Sequence, residues 1–109
     1  MKKEDTIYLQ HILDAISRIE EYVHKLSYGE FLENRLIQDG VIRQIEIIGE
    51  ATKRLSPKMR NQVSDIPWKD IAGMRDKLIH DYMGVDIDAV WETVSKDIPE
   101  LKNKMKNLI

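Results

Sequence analysis

The sequence predicts an all-α domain, an antiparallel bundle of four main helices with short helical turns between them. Apolar residues recur at three- and four-residue steps over nearly the whole chain. The connections between those segments are short, which makes successive helices antiparallel neighbours. No stretch reads as a strand, and there is no repeat, low-complexity tract or linker, so residues 1–109 are expected to form one domain. A chain of this length buries roughly two thirds of its unfolded surface and needs no covalent staple.

The first helix is expected over Glu4–Leu26. Leu9, Ile12, Ile16, Ile19, Val23 and Leu26 form its stripe, with Glu20, Glu21 and Lys25 opposite. Gly29 interrupts it, and a short helical turn holds Phe31 and Leu32. The second long helix covers Leu36–Leu55. Val41, Ile45, Ile48, Thr52 and Leu55 make a stripe that Ile37, Ile42, Ile47 and Ala51 widen, so this helix belongs at the centre of the domain or in an oligomer interface. Gly49 inside it costs about 1 kcal/mol against alanine, which points to close backbone packing there. Ser56-Pro57 ends this helix and caps a short one reaching Val63. Asp65-Ile66-Pro67 opens a third helix that runs through Met83 and stops at Gly84, where a left-handed residue is wanted. Asp86 caps the fourth, with Val85 and Val90 spaced as a hydrophobic staple. Asp97-Ile98-Pro99-Glu100 predicts a kink or a fresh cap inside that helix.

The composition excludes several classes of function. There is no cysteine, so disulfides and thiolate metal sites are out, and a reducing compartment fits. His11, His24 and His80 are the only histidines and are scattered, so neither a metal nor another cofactor is expected. MKKEDTIYLQ returns to charge at once and lacks an apolar leader segment, and no apolar run is long enough to span a membrane. A cytoplasmic protein that does not engage a membrane is the expectation. The formal net charge is −2, so any contact with nucleic acid must rest on a local site, not on a bulk field.

One stretch breaks the pattern. On a continuous helix from Ile71 to Met83, Arg75 of RDKLIHDY falls near the middle of the apolar arc, with Tyr82 almost directly above it. Asp76, Lys77 and His80 take the polar side. A charge on an apolar face requires a partner or an exit. A structural reading gives Arg75 a buried ion pair with Glu46 or Glu50, or has it snorkel to the rim; a functional one has it bind an anion such as phosphate. Asp76, one turn before His80, is placed to orient a resting or a catalytic imidazole. Arg75 and His80 stand about 140° apart on a straight helix. They reach one phosphate only if the helix distorts near His80, or if a two-fold dimer brings such residues together from two chains.

Arg75, four residues, His80, one residue and Tyr82 resemble the RxxxxHxY motif of the HEPN superfamily. The segments YLQHILDAISRIEEYV, VIRQIEIIGEATKRLS and IPWKDIAGMRDKLIHDY, followed by GVD and VWETV, resemble the HepT-like toxin group over nearly the full chain. That resemblance implies a HEPN-like helical homodimer with both motifs facing a shared cleft. It also implies metal-independent endoribonuclease activity within a type VII-like toxin–antitoxin module. The partner implied is a small nucleotidyltransferase antitoxin that adds AMP to Tyr82. On this basis Arg75, His80 and Asp76 are the expected catalytic residues, and RNA is the expected substrate. His80 would transfer protons, Arg75 would clamp the phosphate and Asp76 would orient groups in the cleft. The competing readings are a non-catalytic HEPN module that binds a nucleotide or the partner, and a purely structural helical dimer with an Arg75–Glu pair.

Overall fold

The computed structural model describes residues 2–80, 84–106 and 108, with only the backbone of His80 included. The architecture is all-α. Helix α1 (Lys3–Tyr22) and helix α3 (Arg35–Arg54) are the two long members, joined through the short α2 (Tyr28–Glu33). They are followed by α4 (Pro57–Gln62), α5 (Trp68–Ala72) and α6 (Met74–Leu78). After a two-residue pairing come α7 (Ile87–Glu92), a π-helical turn (Thr93–Asp97) and α8 (Ile98–Met105).

The packing follows from the stripes. Leu9, Ile12, Ile16 and Ile19 of α1 and Val41, Ile45 and Ile48 of α3 are all buried in one core. Tyr22, at the end of α1, lies against Gly40 near the start of α3. Asp5, near the start of α1, meets Ser56 just past the end of α3, so the two helices run antiparallel. Helix α3 is the central element, touching α1, α2, α5, α6 and α7. Phe31 of α2 is buried against Trp91 of α7, with ring centroids 5.0 Å apart. Among the described residues, no buried side-chain nitrogen or oxygen lacks a hydrogen-bond partner. No helix among them is long and apolar enough to cross a membrane.

Several local expectations are revised. Helix α1 ends at Tyr22, and Lys25 takes a left-handed conformation (φ 58°), so the chain turns four residues before Gly29. Helix α2 then begins with a capping box. The Ser27 hydroxyl accepts from the Glu30 amide, and the Glu30 carboxylate accepts from the Ser27 amide. Asp65 does not cap α5; its carbonyl instead accepts from Lys104 Nζ at 3.1 Å. Asp86 caps α7 as expected, through the Ala89 amide at 3.0 Å. Asp97 forms no side-chain cap and keeps helical angles. The π turn ahead of Pro99 does that work: widening the helix moves carbonyls away from a ring that has no N–H to offer.

Asp5 ties the two ends of the α1–α3 pair together. Its carboxylate accepts from the Ser56 amide (2.8 Å) and hydroxyl (2.7 Å), while that hydroxyl accepts from the Met59 amide to start α4. The amide hydrogen bond holds the Asp5 carboxyl below its ordinary value; burial opposes this and the hydroxyl adds to it. The resulting stabilisation is complete above the unfolded value of about 3.9. It is lost as pH falls through the lower folded value. Asp5→Ala should destabilise the fold by about 2 kcal/mol, because it leaves the Ser56 donors unpaired. Urea denaturation at neutral pH checks the loss, and the variant should show a flatter stability profile than the wild type on acidification.

Candidate active site

The site begins with a glycine in α3. A Cβ on Gly49 would stand 3.2 Å from the Ala72 carbonyl oxygen and 3.8 Å from that of Ile71. Without a side chain at this point, the end of α5 lies directly on α3. Gly73 then separates α5 from α6 (φ −94°, ψ 7°), so the continuous helix expected from Ile71 to Met83 is broken near its start. Ile71, Met74 and Leu78 remain buried in the core.

That break puts Arg75 somewhere other than the middle of an apolar arc. Its side chain is 46% exposed and lies at the rim between α6 and α3. Nε donates to Glu46 Oε2 at 3.1 Å, and Nη1 stands 3.8 Å from Asp76 Oδ1. The partner expected from the sequence exists, and it is Glu46, not Glu50. The pair is not buried, however, and an exposed pair adds only about 0–1 kcal/mol. Its main effect is geometric: the Nε edge of the guanidinium is fixed, and among the described residues no hydrogen bond occupies the terminal amino groups.

Those amino groups belong to a cleft of about 220 Å3 between α3 and α6. Arg43, Lys53 and Arg75 bring positive charge to its lining, and Glu46, Glu50 and Asp76 bring negative charge. Arg43 went unremarked in the sequence, although Arg43, Glu46, Glu50 and Lys53 recur at helical steps on the face opposite the stripe. Asp76 is exposed at the mouth, where it faces Arg75.

Just beyond α6 the chain stops being helical. Ile79 is extended (φ −117°, ψ 118°), and Ile79–His80 (β1) pairs antiparallel with Gly84–Val85 (β2). This is a correction to the strand-free expectation. Gly84 takes the expected left-handed conformation at φ 78°, but as part of this small pairing, not as a helix stop. Asp86 completes it by donating its amide to the Leu78 carbonyl at 2.8 Å. The distortion allowed for near His80 is therefore present, and the 140° separation of a straight helix does not apply. Nor does the helical rise from Asp76 reach His80 unbroken. Tyr82, expected above Arg75, lies outside the described residues, as does the His80 side chain. Among the described residues, no group of three or more His, Asp or Glu side chains is placed to hold a metal ion.

The helical domain thus carries an arginine in an interhelical cleft, five residues before a histidine. Residues 12–108 match the family model described as "Ribonuclease HepT-like", and the chain belongs to that family. It is 44% identical to the "Probable ribonuclease HepT" of Thermococcus cleftensis, covering 99% of this chain and 98% of the relative. It is likewise 44% identical to a "Putative RNase" of Caldanaerobacter subterraneus subsp. tengcongensis, covering 94% and 91%. A "Gamma-glutamylcyclotransferase and putative RNase" of Methanocaldococcus jannaschii is 48% identical over the whole chain, which spans 49% of that relative's length. No solved structure matches the chain.

Proposed function

We propose that this chain is a metal-independent endoribonuclease of a toxin–antitoxin module, cutting RNA at a cleft that two copies of the chain build together. One observation carries the reading. Glu46 holds Arg75 by its Nε edge at 3.1 Å, Nη1 stands 3.8 Å from Asp76 Oδ1, and among the described residues no hydrogen bond occupies the terminal amino groups. A guanidinium presented this way suits two oxygens of a phosphate. Family membership supports RNA as the source of that phosphate.

The chemistry needs a base, an acid and positive charge at phosphorus. The base takes the proton of the ribose 2′-hydroxyl. The 2′-oxygen attacks phosphorus, the bond to the 5′-oxygen breaks, and the acid protonates that leaving oxygen. The products are a 2′,3′-cyclic phosphate and a 5′-hydroxyl. His80 fills one proton-transfer role near neutral pH, and a second copy of the chain supplies the other. Arg75 stabilises the charge that builds on the non-bridging oxygens. Asp76 orients groups at the cleft mouth.

Silencing would occur at Tyr82. Its hydroxyl attacks the α-phosphorus of ATP on a partner nucleotidyltransferase, pyrophosphate leaves, and an AMP ester remains. The added bulk and negative charge two residues from His80 would exclude RNA and compete for Arg75. Intact mass after co-expression with that partner should show added AMP, absent in Tyr82→Phe. The modified protein should leave RNA intact while the unmodified protein cuts it in excess chelator. Unmodified protein that binds the partner and never cuts RNA would replace this reading with that of a non-catalytic binding module.

A further inference from the structure

Beyond Arg43 the cleft continues along the same face of α3 into a second hollow of about 320 Å3, between α1 and α3. This is at the lower end of the ~300–1,000 Å3 typical of small-ligand sites. Arg43 and Glu50 line both hollows, so the two are continuous. The lining of the second combines two arginines, Arg43 and Arg54, with the rings of Tyr8 and His11. Neither arginine has an ion-pair partner among the described residues, although Glu50 lines the same hollow. Tyr8 and His11 stand one turn apart on α1, edge to face, with ring centroids 6.0 Å apart and planes at 83°. His11 is exposed and Tyr8 half-buried, so the aromatic pair opens to solvent.

Tyr8 packs in part against the core, while His11, Arg43 and Arg54 stand exposed on the outer face. Together they form what a single-stranded nucleic acid requires: an aromatic surface for a base, and cations beside it for the flanking phosphates. The hollow also answers the difficulty set by the net charge of −2. Binding here needs only a short positive track, not a basic surface.

We infer that the Tyr8–His11–Arg43–Arg54 hollow is a nucleotide subsite for single-stranded RNA, one step along the strand from the phosphate held by Arg75. It rests on the ribonuclease reading for its direction and adds to it a site that grips substrate without reacting. A base stacks on the Tyr8–His11 pair. Arg43 contacts the phosphate between the two hollows, and Arg54 contacts the one beyond. Substrates long enough to fill both hollows are then preferred over dinucleotides.

The test separates binding from cutting. A short single-stranded oligonucleotide with 2′-O-methyl sugars cannot be cleaved through its 2′-oxygen, so the wild-type chain can bind it intact. With one 2-aminopurine in the strand, stacking should quench its fluorescence, while anisotropy reads affinity. Tyr8→Leu should abolish the quench and weaken binding by roughly 5- to 100-fold, as loss of a stacked base does. Tyr8→Phe, which keeps the ring, should restore both. Arg43→Gln and Arg54→Gln should each lower the slope of log affinity against log salt by about 0.7. Unchanged binding, quench and salt slope in these variants would overturn the subsite, even if the wild type cuts RNA. So would a Tyr8→Leu variant whose only change is a lower oligomeric mass, since the face would then lie between two copies. Conversely, a wild type that cuts no RNA yet shows the ring-dependent quench would refute the ribonuclease reading and leave the subsite standing.

Discussion

Replacing Arg75 with alanine should lower single-turnover RNA cleavage by about 10²–10³-fold, the loss expected when one donor to a developing oxyanion is removed. Thermal stability should barely move, because the Arg75–Glu46 pair is exposed and pairs of that kind add about 0–1 kcal/mol. Arg75→Lys should recover little of the activity. An ammonium has no Nε edge for Glu46 to grip and cannot present two parallel donors to phosphate. The combination of lost cleavage and an unchanged melting temperature is the informative one. If Arg75→Ala instead melted far below the wild type, the arginine would be supporting the fold, and the structural reading of the Arg75–Glu46 pair would stand.

The second large effect is expected at a residue with no reactive atom. Gly49→Val should destabilise the fold by about 1–3 kcal/mol, the usual cost of forcing extra carbons into a filled contact. Even the first of those carbons would meet the Ala72 carbonyl at 3.2 Å. Backbone cannot swing aside as a flexible side chain does, so α5 must move off α3 and carry α6 with it. Arg75 would then lose its register with Glu46. A displacement of about 1 Å is enough to cost roughly 10²-fold in rate. Denaturant melts give the first quantity and single-turnover cleavage the second. Cleavage at the wild-type rate by a destabilised variant would mean that the α3–α5 contact does not position Arg75.

Much of this was legible in the residues. The stripes of α1 and α3 named most of the buried positions in the central pair, because a 3.6-residue period over twenty residues leaves little ambiguity, but they left out the buried Asp5, Ala15 and Gln44. Gly49 was read correctly as a point of close backbone approach. The failures were local. Ser27-x-x-Glu30 is a capping signature that went unread beside the more obvious Gly29. Pro99 is absorbed by a π turn, and no spacing rule foretells whether a helix will widen or break at a proline. The most consequential miss was the segment after Ile71. Its apolar period continues smoothly through Met83, so a wheel treats it as one helix. Gly73 and the Ile79–His80 pairing with Gly84–Val85 are tertiary choices that period alone does not encode. Those two breaks move Arg75 from the centre of a face to a rim and take His80 out of the helix. A charge beside an apolar face needs a partner within reach, which narrowed the choice to Glu46 or Glu50, and Glu46 is the one that pairs.

If Arg75 and His80 cut RNA without metal, the decisive experiment is cleavage of a labelled RNA by purified, unmodified protein in excess chelator, wild type beside His80→Ala. The wild type alone should cut, leaving 2′,3′-cyclic phosphate ends, while His80→Ala keeps the same melting temperature. Equal cleavage by the two proteins would contradict the mechanism, and cleavage by neither, with Tyr82 verified as unmodified, would contradict the activity.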